Sequence, residues 1–228
     1  MMENKIPLII PCAGLGYRRV DRSKPKFLER ADYYFEEIER CGIISDVTLV
    51  VNPVTGGYIQ DYVDNRIEPT FPVKYATQEL PLGFGHAVYC SAPLVTDPVM
   101  WEPRPALIMA DDRGLPDVHF FLRSAHTFSR SCLNLFKYEG DVSDKGVAYL
   151  WGERVVRVVE KPNLSGRYDC IGSMYYVSDV GHLFRALDHF VRHRMKTHGE
   201  YQLTDAIQFM IEDGHPFFRM QMVEDEDS

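Results

Sequence analysis

The stretch IPLIIPCAGLGYRRVDRSKPKFL, residues 6–28, decides the fold of this chain. Its first seven residues are apolar on both faces, which is typical of a strand buried inside a parallel sheet. A turn containing Gly14 and Gly16 follows, and such turns let backbone N–H groups converge on an anion. Five of the nine residues from Arg18 to Lys26 are basic. Because ligands of open α/β sheets bind beyond the carboxyl ends of strands, we expect a phosphate-rich ligand here.

Two familiar phosphate-binding loops do not fit this stretch. The GxxxxGK[ST] pattern is absent, and Arg19 stands where GxGxxG requires its third glycine. The second predicted strand also ends in Asn52 and Pro53 instead of the acidic residue that binds a dinucleotide ribose. The alternative interpretation is a loop whose charged side chains face only solvent. The position of the loop directly after a buried strand argues against this alternative.

Short β-rich runs alternate with amphipathic stretches along the whole chain, which predicts an α/β fold with a Rossmann-like, mostly parallel central sheet flanked by helices. Strands are predicted at 6–12, 47–51, 72–76, 106–112, 131–138, 147–151, 154–160 and 174–177. Helices are predicted at 29–41, 85–95, 180–196 and 203–213. No repeat or linker divides the sequence, so we expect a single domain over residues 1–228.

The composition restricts the possible partners. The 228 residues carry a formal net charge of −8, so the chain has no general attraction to nucleic acid or to an anionic membrane. Five scattered cysteines without a CxxC pair favour a reduced, cytoplasmic setting. No segment approaches the roughly 20 apolar residues of a membrane helix. We therefore expect neither nucleic acid nor a membrane as partner.

Two further constellations carry polar side chains at predicted strand ends. Asp111 and Asp112 end the ALIMADD run, and carboxylates there are ligands that Mg²⁺ prefers. Glu160 and Lys161 follow RVVRVV, where a carboxylate can accept hydrogen bonds from sugar hydroxyls and a lysine can neutralise a phosphate. Taken alone, Asp111 is also typical of a turn after a strand. Glu160 and Lys161, taken alone, are more typical of an exposed strand end with a salt bridge.

Three histidines suggest a different site. His189 and His193 lie four residues apart on a predicted helix, with His198 beyond, so a zinc site is conceivable. No HExxH motif is present, and the neighbouring residues are basic and polar. A solvated helix face is the better interpretation.

Six blocks, taken in order, resemble the sugar-1-phosphate nucleotidyltransferases, especially the bacterial-type UTP–glucose-1-phosphate uridylyltransferases. The blocks are AGLGYRR with KPKFL, TQELPLGFGHAVYCSAPLV, ADD, DKGVA, VVEKP and GEYQLTDAIQFMIEDG. They run over nearly the whole chain. The resemblance implies the nucleotide-diphospho-sugar transferase fold, with a nucleotide-binding half at about 1–112 and a sugar-binding half at about 113–228.

The resemblance also implies roles for individual residues. Arg18 and Lys26 would be catalytic, gripping the phosphates, and Asp111 would hold Mg²⁺. The implied nucleotide-binding residues are Ala13, Gly14, Gln78 and Gly83, and the implied sugar-phosphate-binding residues are Gly146, Glu160, Lys161 and Gly172. The implied reaction transfers a nucleotidyl group from UTP or dTTP to a hexose 1-phosphate and releases pyrophosphate. Assembly into a homo-oligomer is possible within such a family.

Two departures from the family pattern support an alternative. Tyr17 stands where the family has a threonine, which places a bulky ring near the expected phosphates. The family also carries a second metal-binding Asp in a D-x-G context after its last strand, and no D-x-G occurs between Phe217 and Ser228. The alternative function is a catalytically weak nucleotide-sugar-binding protein on the same fold.

Overall fold

The computed structural model describes residues 5–14, 25–97, 99–110, 115–124 and 127–220. These residues contain nine strands: β1 (Ile6–Pro11), β2 (Ile44–Val51), β3 (Val73–Thr77), β4 (Ala106–Met109), β5 (Cys132–Asp141), β6 (Gly146–Trp151), β7 (Arg154–Glu160), β8 (Ser165–Val177) and β9 (Phe217–Arg219). All nine form one sheet in the order β3-β2-β1-β4-β8-β5-β9-β7-β6.

The first four strands form the parallel half of the sheet. β1 lies between β2 and β4, and β3 extends the sheet beyond β2, with every pairing parallel. Every residue of β1 is buried, as expected for a strand covered on both faces. The carboxyl ends of β1, β2 and β3 therefore meet at one edge of the sheet, which we call the rim.

The remaining strands make the sheet mixed. β8 runs antiparallel to β4, β5 and β6, and β6 and β7 form an antiparallel hairpin turning at Gly152. Short connections such as the one between Trp151 and Arg154 can join only antiparallel neighbours, because a parallel crossover needs a dozen residues or more. The mostly parallel arrangement expected from the sequence thus holds for the first four strands.

Helices cover both faces of the sheet. They are α1 (Ala31–Cys41), α2 (Gly56–Tyr62), α3 (Phe84–Cys90), α4 (Ala92–Val95), α5 (Leu115–Ser124), α6 (Val180–Arg192) and α7 (Leu203–Glu212), with a 3-10 turn at Lys26–Glu29 and a π-helical turn at Val63–Ile67. One core layer holds Leu8, Phe35 and Phe121, and the other holds Ile9 and Phe184. The α/β fold class is confirmed. No helix in the described part of the chain is long and apolar enough to cross a membrane.

Two of the predicted helices differ from the observed ones by more than a residue or two at their ends. The helix expected at 85–95 is divided at Ser91 into α3 and α4. Pro93 lies in the first turn of α4 and has no N–H to donate to an earlier carbonyl, so the first helix cannot continue through it. The helix expected at 180–196 ends at Arg192, because Arg194 has a left-handed backbone with φ of 54°.

Candidate functional site

The rim begins where β1 and β2 end. The Asn52 side chain donates to the Ala13 carbonyl at 3.0 Å, and its Oδ1 accepts the N–H groups of Val54 and Thr55. Asn52 is buried and so fixes the start of the glycine-rich loop. Gly14 follows, and no atom of the residues that the structure describes lies within 4 Å of the place where its Cβ would be. Sequence reasoning used Asn52 only to argue against a dinucleotide and missed this positioning role.

Gln78 continues the rim after β3. Its backbone N–H donates to the Val51 carbonyl at 2.8 Å, which places it beside the end of β2. Its side-chain Nε2 donates to the Gly83 carbonyl at 3.0 Å and lies 3.0 Å from His86 Nδ1. Gly83 precedes α3 with φ of 109° and ψ of 169°, a region that only glycine adopts readily.

A backbone junction joins this loop to the carboxyl-terminal half of the chain. Gly85 N–H donates to the Tyr201 carbonyl at 3.0 Å, and Tyr201 N–H donates to the Leu82 carbonyl at 2.8 Å. A Cβ on Gly83 would lie 2.7 Å from the Tyr201 oxygen and 2.8 Å from Glu200 Cβ. The LGFG and GEY segments, singled out separately in the sequence, therefore touch with no space for a side chain between them.

The predicted sugar-phosphate residues lie on the other side of this junction. Gly146 and Glu160 are register partners in the β6–β7 hairpin, and a Cβ on Gly146 would lie 3.3 Å from Glu160 Oε2. The Lys161 N–H donates to the Lys145 carbonyl at 2.8 Å, and its ammonium lies 3.5 Å from Glu200 Oε2 and 3.9 Å from Glu160 Oε1. Glu200 thus contacts both the lysine and the junction, a role that sequence reasoning did not assign although it quoted the block.

Two carboxyl groups in this region are electrostatically perturbed. Burial raises the pKa of Glu160, while a hydrogen bond from Thr204 and the charge of Lys161 act in the opposite direction. Burial likewise raises the pKa of Asp205, against a hydrogen bond from Thr197. Groups with displaced pKa values concentrate at functional sites, so the region around Glu160 and Asp205 is a candidate for ligand binding.

Two other predicted site residues lie near the same elements. Gly172 is in β8, two residues before Met174, which pairs with Met109 at the carboxyl end of β4. A Cβ on Gly172 would collide with the Asn134 side chain unless that side chain moved. Lys26 is half-buried at the start of the 3-10 turn, which Phe27 anchors in the core next to α1.

The remaining assignments cannot be placed on this geometry. Arg18, Asp111 and Tyr17 lie outside the described residues, so the roles of Arg18 and Asp111 stay predictions. Within the described ranges, no group of three or more His, Cys, Asp or Glu side chains could hold a metal ion. Two histidines of the conceivable zinc site make other contacts. His193 Nδ1 lies 2.8 Å from the His189 carbonyl oxygen, and the His189 ring stacks on Phe209.

The sequence is similar to that of curated GlmU proteins. No protein-family model matches the chain. The bifunctional protein GlmU of Thermoanaerobacter pseudethanolicus is 26% identical over 223 residues, which are 92% of this chain and 45% of that protein. GlmU of Clostridium botulinum is 24% identical over 221 residues, 91% of this chain and 45% of that protein. The chain thus spans a little under half the length of these curated relatives.

Solved structures of similar fold cover almost the whole chain. A UDP-glucose pyrophosphorylase complexed with UDP-glucose superposes with a TM-score of 0.74 at 18% identity, over 96% of this chain and 92% of that one. The inositol-1-phosphate CTP transferase of T. maritima gives 0.66 at 14% identity, over 95% and 85%. The UTP-bound UGPase from Acinetobacter baumannii gives 0.64 at 20% identity, over 96% and 87%. The nucleotidyltransferase fold and the resemblance to sugar-1-phosphate nucleotidyltransferases are confirmed.

Proposed function

We propose that this chain, which has the nucleotidyltransferase fold, transfers a nucleotidyl group from UTP or dTTP to a hexose 1-phosphate and releases pyrophosphate. The observation that carries the proposal is the junction between residues 82–85 and 200–201. It joins Gln78, which we propose contacts the edge of the pyrimidine base, to Lys161, which we propose pairs with the sugar phosphate, through Gly83 and Glu200. A transferase needs its two substrates side by side, and this contact links the two proposed half-sites.

The proposed chemistry requires little covalent help from the protein. An oxygen of the sugar 1-phosphate attacks the α-phosphorus of the nucleotide in line, and pyrophosphate leaves. Catalysis comes from positioning the two substrates and from neutralising the phosphate charge. We assign the neutralisation to Arg18, Lys26 and Lys161. Mg²⁺, with Asp111 as the proposed ligand, would neutralise phosphate charge when bound.

The proposed sugar subsite consists of the β6–β7 hairpin and its neighbour in β8. The Glu160 carboxylate would accept hydrogen bonds from sugar hydroxyls, and the ammonium of Lys161 would pair with the sugar phosphate. The side chain of Lys161 is 29% exposed and is already oriented by Glu160 and Glu200. Gly146 and Gly172 complete the proposed subsite, and a side chain at either position would crowd neighbouring side chains of the protein.

We further propose that the chain is one domain over residues 1–228, with a nucleotide-binding half at about 1–112 and a sugar-binding half at about 113–228. Ala13 and Gly14 would meet the nucleotide through their backbone atoms. All five cysteines are free thiols, which supports a reduced, cytoplasmic setting.

The test is a pyrophosphate-release assay with UTP or dTTP, a panel of hexose 1-phosphates and Mg²⁺. We expect turnover that Lys26→Ala reduces at least about a hundredfold, as expected when a preorganised charge is removed from a transferring phosphoryl group. Lys137→Ala is the matched control, because Lys137 is 59% exposed and, among the described residues, its ammonium pairs only with Asp169. Undiminished turnover in Lys26→Ala would contradict its role, and no pyrophosphate from any substrate pair would contradict the function.

The second candidate is a nucleotide-sugar-binding protein of low activity. Tyr17 favours it, because the family pattern has a threonine at this position of the loop. Titration calorimetry separates the two candidates. Binding of a nucleotide sugar without any pyrophosphate release in the assay above would favour the binding protein.

A further inference from the structure

The amide of Gln78 has only one possible orientation. Its Nε2 lies 3.0 Å from the Gly83 carbonyl oxygen, which can accept a hydrogen bond but cannot donate one. The nitrogen must therefore face Gly83, since an amide oxygen there would place two acceptors in contact. Gln78 is buried, so its side chain has little freedom to avoid this choice.

The second N–H of the same amide points at His86. His86 Nδ1 lies 3.0 Å from Gln78 Nε2 and can accept only if it carries no proton. Burial, followed by the charge of Lys196, lowers the pKa of His86, which favours the neutral ring. The ring stacks on Tyr201 at a centroid distance of 5.8 Å, so the junction holds it in place.

Both donors of Gln78 are thus used inside the protein. Within the described residues, its Oε1 has no hydrogen-bond partner. The side chain can therefore offer a ligand an acceptor and no donor. Without His86, one N–H would be released, and the same amide would offer a ligand a donor as well.

We propose that His86 is a specificity-determining positioning residue, which occupies the second N–H of Gln78 so that only Oε1 faces the base. The inference rests on the proposed function, which places Gln78 at the edge of a pyrimidine. Uracil and thymine carry an N–H at ring position 3 and would donate it to Oε1. Cytosine carries an unprotonated nitrogen there, and two facing acceptors repel each other. The substrate class is accordingly a uridine or thymidine nucleotide and excludes a cytidine nucleotide.

The experiment compares His86→Phe with His86→Asn. Phenylalanine keeps a ring against Tyr201 and removes the acceptor, whereas the Asn side-chain oxygen can lie about where Nδ1 lies and preserves it. The measurement is kcat/KM for UTP and for CTP in the pyrophosphate-release assay. We expect the UTP:CTP ratio to fall at least about tenfold in His86→Phe, equivalent to about 1.4 kcal/mol. In His86→Asn the ratio should stay within about threefold of the original, because the hydrogen bond is retained.

A ratio that does not change in folded His86→Phe overturns the inference, as does an original chain that uses CTP as well as UTP. His86→Leu replaces His86→Phe if the latter does not fold. If no variant turns over, calorimetric titrations with UDP and CDP give the same ratio from binding alone. A UDP preference that His86→Phe abolishes would then support the inference while the proposed transferase function fails. Equal binding of UDP and CDP, or binding of neither, overturns it.

Discussion

Two polar clusters, each containing one buried side chain, lie at opposite edges of the same sheet, and they use their hydrogen bonds differently. Away from the rim, Ser131 precedes β5, and Ser178 follows β8 beside the amino end of β4. Ser131 Oγ lies 2.7 Å from His215 Nε2 and 3.0 Å from Ser178 Oγ, and it accepts the Ser178 N–H at 2.9 Å. Ser131 is only 1% exposed, so its whole hydrogen-bonding capacity is used within the protein.

The second cluster, which we call the rim cluster, consists of Gln78, Glu160 and Lys161. Within the described residues, Gln78 Oε1 has no hydrogen-bond partner, Lys161 has a left-handed backbone with φ of 46°, and Glu160 is a partly buried carboxyl group with a raised pKa. Such features cost stability and persist in proteins mostly where a ligand uses them. We therefore expect the Ser131 cluster to stabilise the fold, and we propose that the rim cluster is less favourable for stability because its groups bind a ligand.

The largest effect on stability is expected where the rim is most tightly packed, in Gly83→Ala. A side chain there would be strained at φ of 109° and would also overlap the Tyr201 oxygen and Glu200 Cβ. Backbone strain in this region alone costs about 1–3 kcal/mol. We expect the free energy of unfolding to fall by about 3 kcal/mol or more, because a clash with backbone atoms adds a cost of overpacking. Denaturant unfolding and the pyrophosphate assay measure both consequences, and activity should be lost.

Gly214→Ala is the control for this change. Gly214 has φ of 87°, and a Cβ there would meet nothing within 4 Å. It therefore reports left-handed strain without the clash, about 1–2 kcal/mol, and activity should be retained. Equal loss of stability in the two variants would contradict the tight junction between the half-sites.

A smaller effect is expected in the opposite cluster, where Ser131→Ala removes the partner of His215 and of Ser178. A buried polar group left without a partner costs about 1–3 kcal/mol. Tm should fall by about 2–4 °C for each kcal/mol in a chain of this size, and kcat/KM below Tm should not change. Ser143→Ala, at an exposed serine bonded to Asp141, should leave both quantities unchanged. A loss of activity in Ser131→Ala without a fall in Tm would reverse the proposed division of roles.

The smallest effect, with the opposite sign, is expected in Glu160→Gln. The fold raises the pKa of Glu160, so it favours the protonated carboxyl group. That contribution to stability is fully present below the ordinary pKa of a glutamate and is lost as pH rises through the raised value. A neutral glutamine should therefore increase the free energy of unfolding by about 0.5–2 kcal/mol at pH 8, with the difference vanishing near pH 4.

Activity should change in the other direction in the same variant. Glu160→Gln should raise KM for the hexose 1-phosphate, because a carboxylate accepts hydrogen bonds from hydroxyls more strongly than an amide does. Thermal unfolding at several pH values and the pyrophosphate assay measure the two effects. Glu139→Gln, at an exposed position of β5, is the matched control. A Glu160→Gln variant that is less stable at pH 8 would show that the rim carboxyl group contributes to the fold.

Much of the site could be predicted from the sequence because the relevant signals are local. A strand that is apolar on both faces, followed by glycines and basic residues, indicates a ligand-binding strand end without any tertiary information. Glu160 and Lys161 were also proposed from their position after a β-rich run, whereas Gln78 and Gly83 were proposed only from the resemblance to a family pattern. Asn52, His86 and Glu200 received no role, since each acts through a partner that no local pattern identifies.

The sequence by itself determined the α/β class, most strand positions and which segments carry polar chemistry, because burial periodicity and turn residues are properties of neighbouring residues. The tertiary structure alone decided that the sheet becomes mixed after β4 and that residues 82–85 touch 200–201. It also decided that the amide of Gln78 is oriented by Gly83 and His86. The physical reason is that these features depend on which loops pack against one another at the rim. Gly83 and Gly85 permit the contact with residues 200–201, and neither composition nor spacing identifies that partner segment.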